Sequence, residues 1–100
     1  MNLHALRLFH AVAGAGSVTR AAERIRISQP AVTSQIRKLE GELGLRLLEA
    51  DGRGVRLTEA GRMLAERAAR LFSLEADIER MLADYREGRS GAVRIAATYL

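Results

Sequence analysis

Residues 17–40, SVTRAAERIRISQPAVTSQIRKLE, restrict the fold of this chain more than any other segment. Ser17 and Ser28 each precede a helical pattern, where a side-chain oxygen can cap the unpaired N–H groups of a helix. Pro30 falls in the first turn of the second pattern, where its missing N–H costs nothing. The segment therefore predicts two short helices, over 18–25 and about 29–40, joined by a tight turn.

The second of these helices has two chemically different sides. Apolar residues at helical spacing predict a buried stripe: Val32, Ile36, Leu39 and Leu43. Small polar and basic residues occupy the opposite side: Gln29, Thr33, Ser34, Arg37 and Lys38. Ala21 and Ala22 of the preceding helix are small enough to let the two helices cross closely, and Ile25 and Ile27 are expected to fill the core beneath the turn. An exposed, positively charged helix held by another helix is typical of proteins that enter the major groove of DNA.

Further elements surround this pair. A first helix is predicted over 3–13, ended by Gly14-Ala15-Gly16. Asp51-Gly52-Arg53-Gly54 predicts a hairpin turn between two short strands. The predicted fold class is thus mostly α: a winged helix-turn-helix (three helices plus a two-stranded wing) over 1–58, with the helix-turn-helix itself at 18–37. Residues 88–100 are expected to form a hinge and the first strand of a domain that the sequence does not contain.

A long helix is predicted over 59–87, about 45 Å in length at 1.5 Å per residue. Apolar residues repeat along it in heptads, interrupted at Arg67: Leu64, Leu71, Leu74, Ile78, Met81 and Tyr85. Such a seam predicts a linker helix that forms a homodimer with a second copy. The alternative is packing against the chain's own first domain, which suits the beginning of the helix, with Ala60 and Ala68.

Composition narrows the function. Residues 1–58 carry nine basic and five acidic side chains, whereas residues 59–100 carry seven of each, so the excess positive charge lies on the predicted helix-turn-helix domain. The chain has no cysteine, and His4 and His10 lie six residues apart, which argues against a metal site. No catalytic set stands out, since the lone Gly14-x-Gly16 follows a helix and not a strand. The sequence predicts a protein that is not an enzyme and does not span a membrane. It also predicts a cytoplasmic location.

The stretch AAERIRISQPAVTSQIRKLEGELGLRLLEADGRGVRLTEAG resembles the most specific part of the LysR-type transcriptional regulators. That resemblance implies a wing after the helix-turn-helix, a linker helix that pairs two subunits, and a C-terminal domain that binds a small-molecule effector, with no cofactor in the present segment. It also implies a bacterial, nucleoid-associated protein, with dimer or tetramer left open. Two positions depart from the family pattern, because Ser34 and Ala50 stand where arginine is common.

The function predicted is a sequence-specific transcription regulator that binds an inverted-repeat operator in double-stranded DNA as a homodimer. Base contacts are assigned to the exposed start of the recognition helix and the wing tip: Gln29, Pro30, Thr33, Ser34, Arg37 and Arg53. Phosphate contacts are assigned to residues near helix starts and on the recognition helix: Ser17, Thr19, Arg20, Ser28, Gln35 and Lys38. The alternative function is a winged-helix protein-interaction or assembly module with incidental DNA affinity.

Overall fold

The computed structural model describes residues 1–88. Its elements in chain order are α1 Leu3–Ala15, α2 Val18–Ile25, α3 Gln29–Leu43, β1 Leu48–Asp51, β2 Gly54–Leu57 and α4 Glu59–Glu87. Four helices and one antiparallel pair of strands confirm the predicted fold class. The strand predicted after the hinge lies outside the described residues.

Side-chain caps fix where the helices begin. Ser17 Oγ accepts a hydrogen bond from the Arg20 N–H at 3.2 Å, and Ser28 Oγ accepts one from the Ala31 N–H at 3.2 Å. Both caps are confirmed as predicted, because each supplies an acceptor to an N–H that has no partner inside its helix. A further cap was not predicted: Asn2 Oδ1 accepts from the His4 N–H at 2.8 Å and starts α1.

Residues in the left-handed conformation end the first three helices. Helix α1 continues two residues past its predicted end, because Gly16, with φ of 70°, forms the cap and Gly14 remains helical. Gly44, with φ of 67°, ends α3. Helix α2 ends at Arg26, the single non-glycine residue with positive φ (60°) among residues 1–88. A long side chain in this conformation is uncommon, and it places mild strain in the turn of the helix-turn-helix.

The described part of the chain divides into two compact units, residues 1–69 and the described residues from Arg70 onward. In the first unit α1 packs against α2 and α3 around a core of large apolar side chains that are almost fully buried: Leu6, Phe9, Val12, Val32, Leu39 and Leu47. Ala21 and Ala22 are also buried, as predicted. Ile27 and Leu43 were predicted to be buried, and this is wrong. They are 36% and 37% exposed, because Ile27 lies in the turn between α2 and α3 and Leu43 is the last residue of α3.

The wing is a two-stranded antiparallel hairpin. Leu48 pairs with Leu57 and Asp51 with Gly54, so Gly52 and Arg53 form the two-residue tip. Gly52 has a φ of 61°, a conformation that glycine adopts without a steric penalty. The predicted hairpin turn is therefore confirmed.

Helix α4 has the bounds that the sequence predicts. Its part in the first unit, up to Ala69, includes the buried Ala68 and the half-buried Leu64. Its part in the second unit, residues 70–87, is called the distal segment below. Large apolar side chains of the distal segment are 40–60% exposed: Leu71, Leu74, Ile78, Met81, Leu82 and Tyr85. Within residues 1–88, no helix has the length and apolar character that spanning a membrane requires.

Candidate nucleic-acid interface

The exposed side of α3 brings together five of the six residues predicted to contact bases. A single open depression, called the reading face below, is lined by Gln29, Pro30, Thr33, Ser34 and Arg37. Four of them are exposed and Thr33 is half-buried. Because the Ser28 cap and Pro30 set the start of the helix, these side chains project from its first two turns. The structure therefore forms a polar helix surface of the kind that can approach the edges of base pairs.

Arg37 is the cation of the reading face. Its side chain is exposed and forms no hydrogen bond or ion pair with any residue among 1–88. It also borders a groove between α3 and the wing, whose walls include Thr33, Ala50 and Val55. An arginine without an internal partner keeps its five N–H donors available for a ligand.

Arg53 is the sixth predicted base contact and lies apart from the reading face. It occupies the wing tip, between Gly52 and Gly54, and is exposed. The tip is attached to the rest of the first unit, because the Val55 N–H donates to the Gly16 carbonyl oxygen at 3.4 Å. A Cβ added at Gly54 would lie 2.9 Å from that same oxygen, so glycine permits the close approach of the wing to the turn between α1 and α2.

The residues predicted to contact phosphates have three kinds of surroundings. Thr19, Arg20 and Lys38 are exposed. Ser17 and Ser28 cap helices with their oxygens, yet a hydroxyl that accepts one hydrogen bond can still donate its proton to a phosphate. Gln35 is half-buried, and its Oε1 is buried without a hydrogen-bond partner among residues 1–88. Its acceptor therefore faces the protein, which leaves Gln35 the least suited of the six to contact DNA.

Two charged residues next to this surface were not assigned a role from the sequence. Glu40, near the end of α3, accepts hydrogen bonds through Oε2 from the Leu47 N–H at 2.7 Å and the Leu48 N–H at 3.3 Å. Arg46 Nε lies 3.7 Å from the same Oε2, and Arg46 Nη2 donates to the Leu48 carbonyl oxygen at 3.4 Å. The sequence shows only that Glu40 is an acidic residue near the end of a predicted helix. It does not show that the Glu40 carboxylate accepts a hydrogen bond from the backbone seven residues later.

This geometry can be compared with known proteins. Residues 3–62 match the model of the bacterial regulatory helix-turn-helix protein family named lysR. This chain belongs to the lysR family. The matched range covers the helix-turn-helix, the wing and the first residues of α4, and the family is one of regulators and not of enzymes.

Individual relatives agree with the family match. Over 99% of its length the lysR-family chain is 43% identical to an uncharacterized HTH-type transcriptional regulator from the ibpB-leuC intergenic region of Azotobacter vinelandii. It is also 43% identical, over 96% of its length, to the RuBisCO operon transcriptional regulator of Allochromatium vinosum. The chain spans 69% of the first relative and 32% of the second. The crystal structure of the BenM_DBD/catB site 1 DNA complex shares 36% identity with a TM-score of 0.83, covering 92% of this chain and 99% of that one.

In the lysR-family chain, the family match ends at residue 62, in the first turn of α4. This turn meets residues 46–47, which precede β1 and are called the wing base below. Thr58 Oγ1 donates to the Arg46 carbonyl oxygen at 2.6 Å and accepts from the Gly61 N–H at 3.0 Å. A Cβ added at Gly61 would overlap the carbonyl oxygen of Leu47, so only glycine fits there without displacement of the backbone. Thr58 and Gly61 therefore hold the start of α4 against the segment that leads into β1. Among residues 1–88 no group of three His, Cys, Asp or Glu side chains could hold a metal ion.

Proposed function

We propose that the chain is a sequence-specific DNA-binding part of a transcription regulator, with α3 in the major groove and the wing tip in the minor groove. The observation that carries this proposal is the reading face, where an arginine without an internal partner stands beside Gln29, Thr33 and Ser34. The similarity to the BenM_DBD/catB site 1 DNA complex supports it, at 36% identity and a TM-score of 0.83.

The side chains of the reading face match the chemistry of base edges. Gln29 can form paired hydrogen bonds with adenine, and the Thr33 methyl group and Pro30 ring can pack on the methyl group of thymine. Arg37 can donate to guanine or to a phosphate. Arg53 suits a narrow minor groove, whose negative potential attracts arginine. Because Ser34 has a short side chain, specificity should depend more on Gln29, Thr33 and Arg37.

We propose that two copies pair through the distal segment. Its exposed apolar side chains repeat along one helix, an arrangement that a partner helix would remove from water. A two-fold dimer would then read two half-sites of an inverted repeat, separated by about one helical turn of DNA, roughly 34 Å, or a multiple of it. A small-molecule effector bound outside the described residues and a cytoplasmic location on the nucleoid complete the proposal.

Selection of bound duplexes from a random pool tests sequence-specific binding. We expect an inverted repeat to emerge, and its affinity to fall steeply with salt while exceeding that for random duplex by about 10³-fold or more. Equal, weak binding to every duplex would contradict the proposal and favour the alternative, a winged-helix assembly module.

A matched pair of threonine variants tests the reading face. Thr33→Ala should relax the preference at one base position by roughly 1–3 kcal/mol, because it removes a contact to a base edge. Thr19→Ala should weaken binding to all duplexes alike, because its predicted partner is a phosphate. A Thr33→Ala selection profile identical to that of the unmodified chain would remove Thr33 from the base-reading set.

A further inference from the structure

We propose that Arg46 binds a phosphate of the DNA backbone, beside the bases that the first two turns of α3 read. Glu40 holds the Arg46 guanidinium in place for this contact. The inference rests on the proposed DNA binding and adds to it a residue outside the predicted contact set.

Continuous surface depressions place Arg46 on the same side of the molecule as the reading face. Arg37 lines the reading face, and with Arg46 it also lines the groove between α3 and the wing. Both arginines line a third depression, at the end of α3, together with Gly41 and Gly44. The three depressions share Arg37, so a surface that contacts Ser34 and Arg37 can extend to Arg46.

The length of α3 places its end at the rim of the DNA groove. Ten residues separate Thr33 from Leu43, which at 1.5 Å per residue is about 15 Å. The major groove of B-DNA is about 8.5 Å deep, and a recognition helix contacts base edges with its N-terminal residues. A helix whose first turns touch base edges therefore leaves the groove near its last turn, where DNA presents phosphates. Arg46 follows Gly44, the residue that caps this turn.

The charges of the groove leave Arg46 able to bind an anion. Glu49 pairs with Arg56, Oε2 to Nε at 3.0 Å. Glu40 accepts from two backbone N–H groups as well as facing Arg46. Arg37, Arg46 and Glu40 all line this groove and together carry a net positive charge, and both acids of the groove, Glu40 and Glu49, have partners.

The guanidinium of Arg46 is both oriented and accessible. Its side chain is 78% exposed, and its contacts with Glu40 and the Leu48 carbonyl engage Nε and one Nη2 proton. The remaining N–H groups have no partner among residues 1–88, so a fork of donors suited to phosphate faces outward. Gly41 and Gly44 line the same depression as Arg46, and a Cβ added at either glycine would meet nothing within 4 Å, so the depression is open beside these two residues. Orientation by Glu40 reduces the side-chain entropy lost on binding.

The test compares Arg46→Ala with Arg80→Ala, in the whole chain, on a duplex obtained by selection. Arg80 lies in the distal segment, and its removal changes the net charge by the same amount. We expect Arg46→Ala to make the slope of log affinity against log salt less steep by about 0.9 per bound subunit. This corresponds to roughly an eightfold loss of affinity per subunit at 0.1 M salt. The preferred bases should not change. Arg46→Lys should retain most of the slope, because it keeps the charge.

Three results would overturn the inference. If Arg46→Ala and Arg80→Ala have the same slope and affinity while the unmodified chain binds specifically, Arg46 does not contact a phosphate, and the proposed function still stands. A changed preference at one base position would make Arg46 a base contact. Failure of the unmodified chain to prefer any duplex would instead contradict the proposed function, and with it this role. If Arg46→Ala lowers the melting temperature, Arg46→Gln retains most of the stem and allows the same measurement.

Discussion

The first unit and the distal segment contain similar apolar repeats with opposite outcomes. In the first unit, Leu39 of α3 is fully buried, because α1 and α2 pack against that helix within the same unit. In the distal segment, Leu74 and Tyr85 are 57% and 60% exposed. Helical spacing identifies the residues that share a face, but it does not identify what covers that face. The first unit closes its own core, whereas the distal segment presents a face that suits a second copy.

The largest effect is expected at Gly61, where α4 lies directly against the backbone of Leu47. Gly61→Ala would force a methyl group against the Leu47 carbonyl oxygen, so α4 or the wing base must shift. We expect a loss of about 3 kcal/mol or more in the free energy of unfolding, measured by urea denaturation. Gly41→Ala is the control, because its added methyl group meets nothing and should stabilise the exposed helix by roughly 0.5–1 kcal/mol. Equal stability of the two variants would show that α4 does not approach Leu47 so closely.

The second effect concerns the distal segment. Leu71→Asp should weaken the proposed dimer by roughly 2–3 kcal/mol, about 30- to 150-fold in its dissociation constant, because it places a charge in an apolar interface. Sedimentation velocity across a concentration series measures the change. Ser73→Asp adds the same charge to an exposed position of the same helix outside the apolar repeat, and it should leave the dimer intact. If Leu71→Asp sediments as the unmodified chain does, the distal segment does not pair through this face.

The smallest effect concerns the one strained residue of the first unit. Arg26→Asn should raise the free energy of unfolding by about 0.5 kcal/mol, because asparagine tolerates the left-handed conformation better than arginine does. Arg24→Asn, in the last turn of α2, should lower stability slightly, because asparagine is a poorer helix former and the charge favours a helix end. Thermal melts of both variants should shift in opposite directions. A shared decrease would mean that the turn carries no relievable strain.

Local signals predicted most of the fold correctly. Ser17, Ser28 and the Asp51–Gly54 turn each act on backbone groups within three residues, so the sequence alone was enough to locate the elements that they bound. The end of α1 was predicted two residues too early, because Gly14 and Gly16 can both stop a helix and the structure uses Gly16. The reading face was predictable for the same reason, because its residues lie close together on one helix.

Contacts between segments that are distant in sequence were not predictable in this way. Glu40 reaches the backbone of Leu47 and Leu48, and Gly61 lies against the carbonyl of Leu47. Neither contact produces a periodic pattern in the sequence, so the roles of Glu40 and Gly61 are visible only in the folded chain. The exposure of Leu43 has the same origin, because helical spacing continues to the last residue of α3 while the core does not.

The two attachments of the wing have a consequence for the thermodynamics of DNA binding. Its base is held by Glu40, and β2 is held near the tip by the hydrogen bond from Val55 to Gly16. Gly52 and Arg53, which form the tip, are held by neither of these two attachments. In the proposed complex, adjustment to duplexes of different minor-groove width would then involve the Arg53 side chain and two peptide units. The loss of backbone conformational entropy on binding would be confined to a few residues, about 1–2 kcal/mol for each one newly fixed.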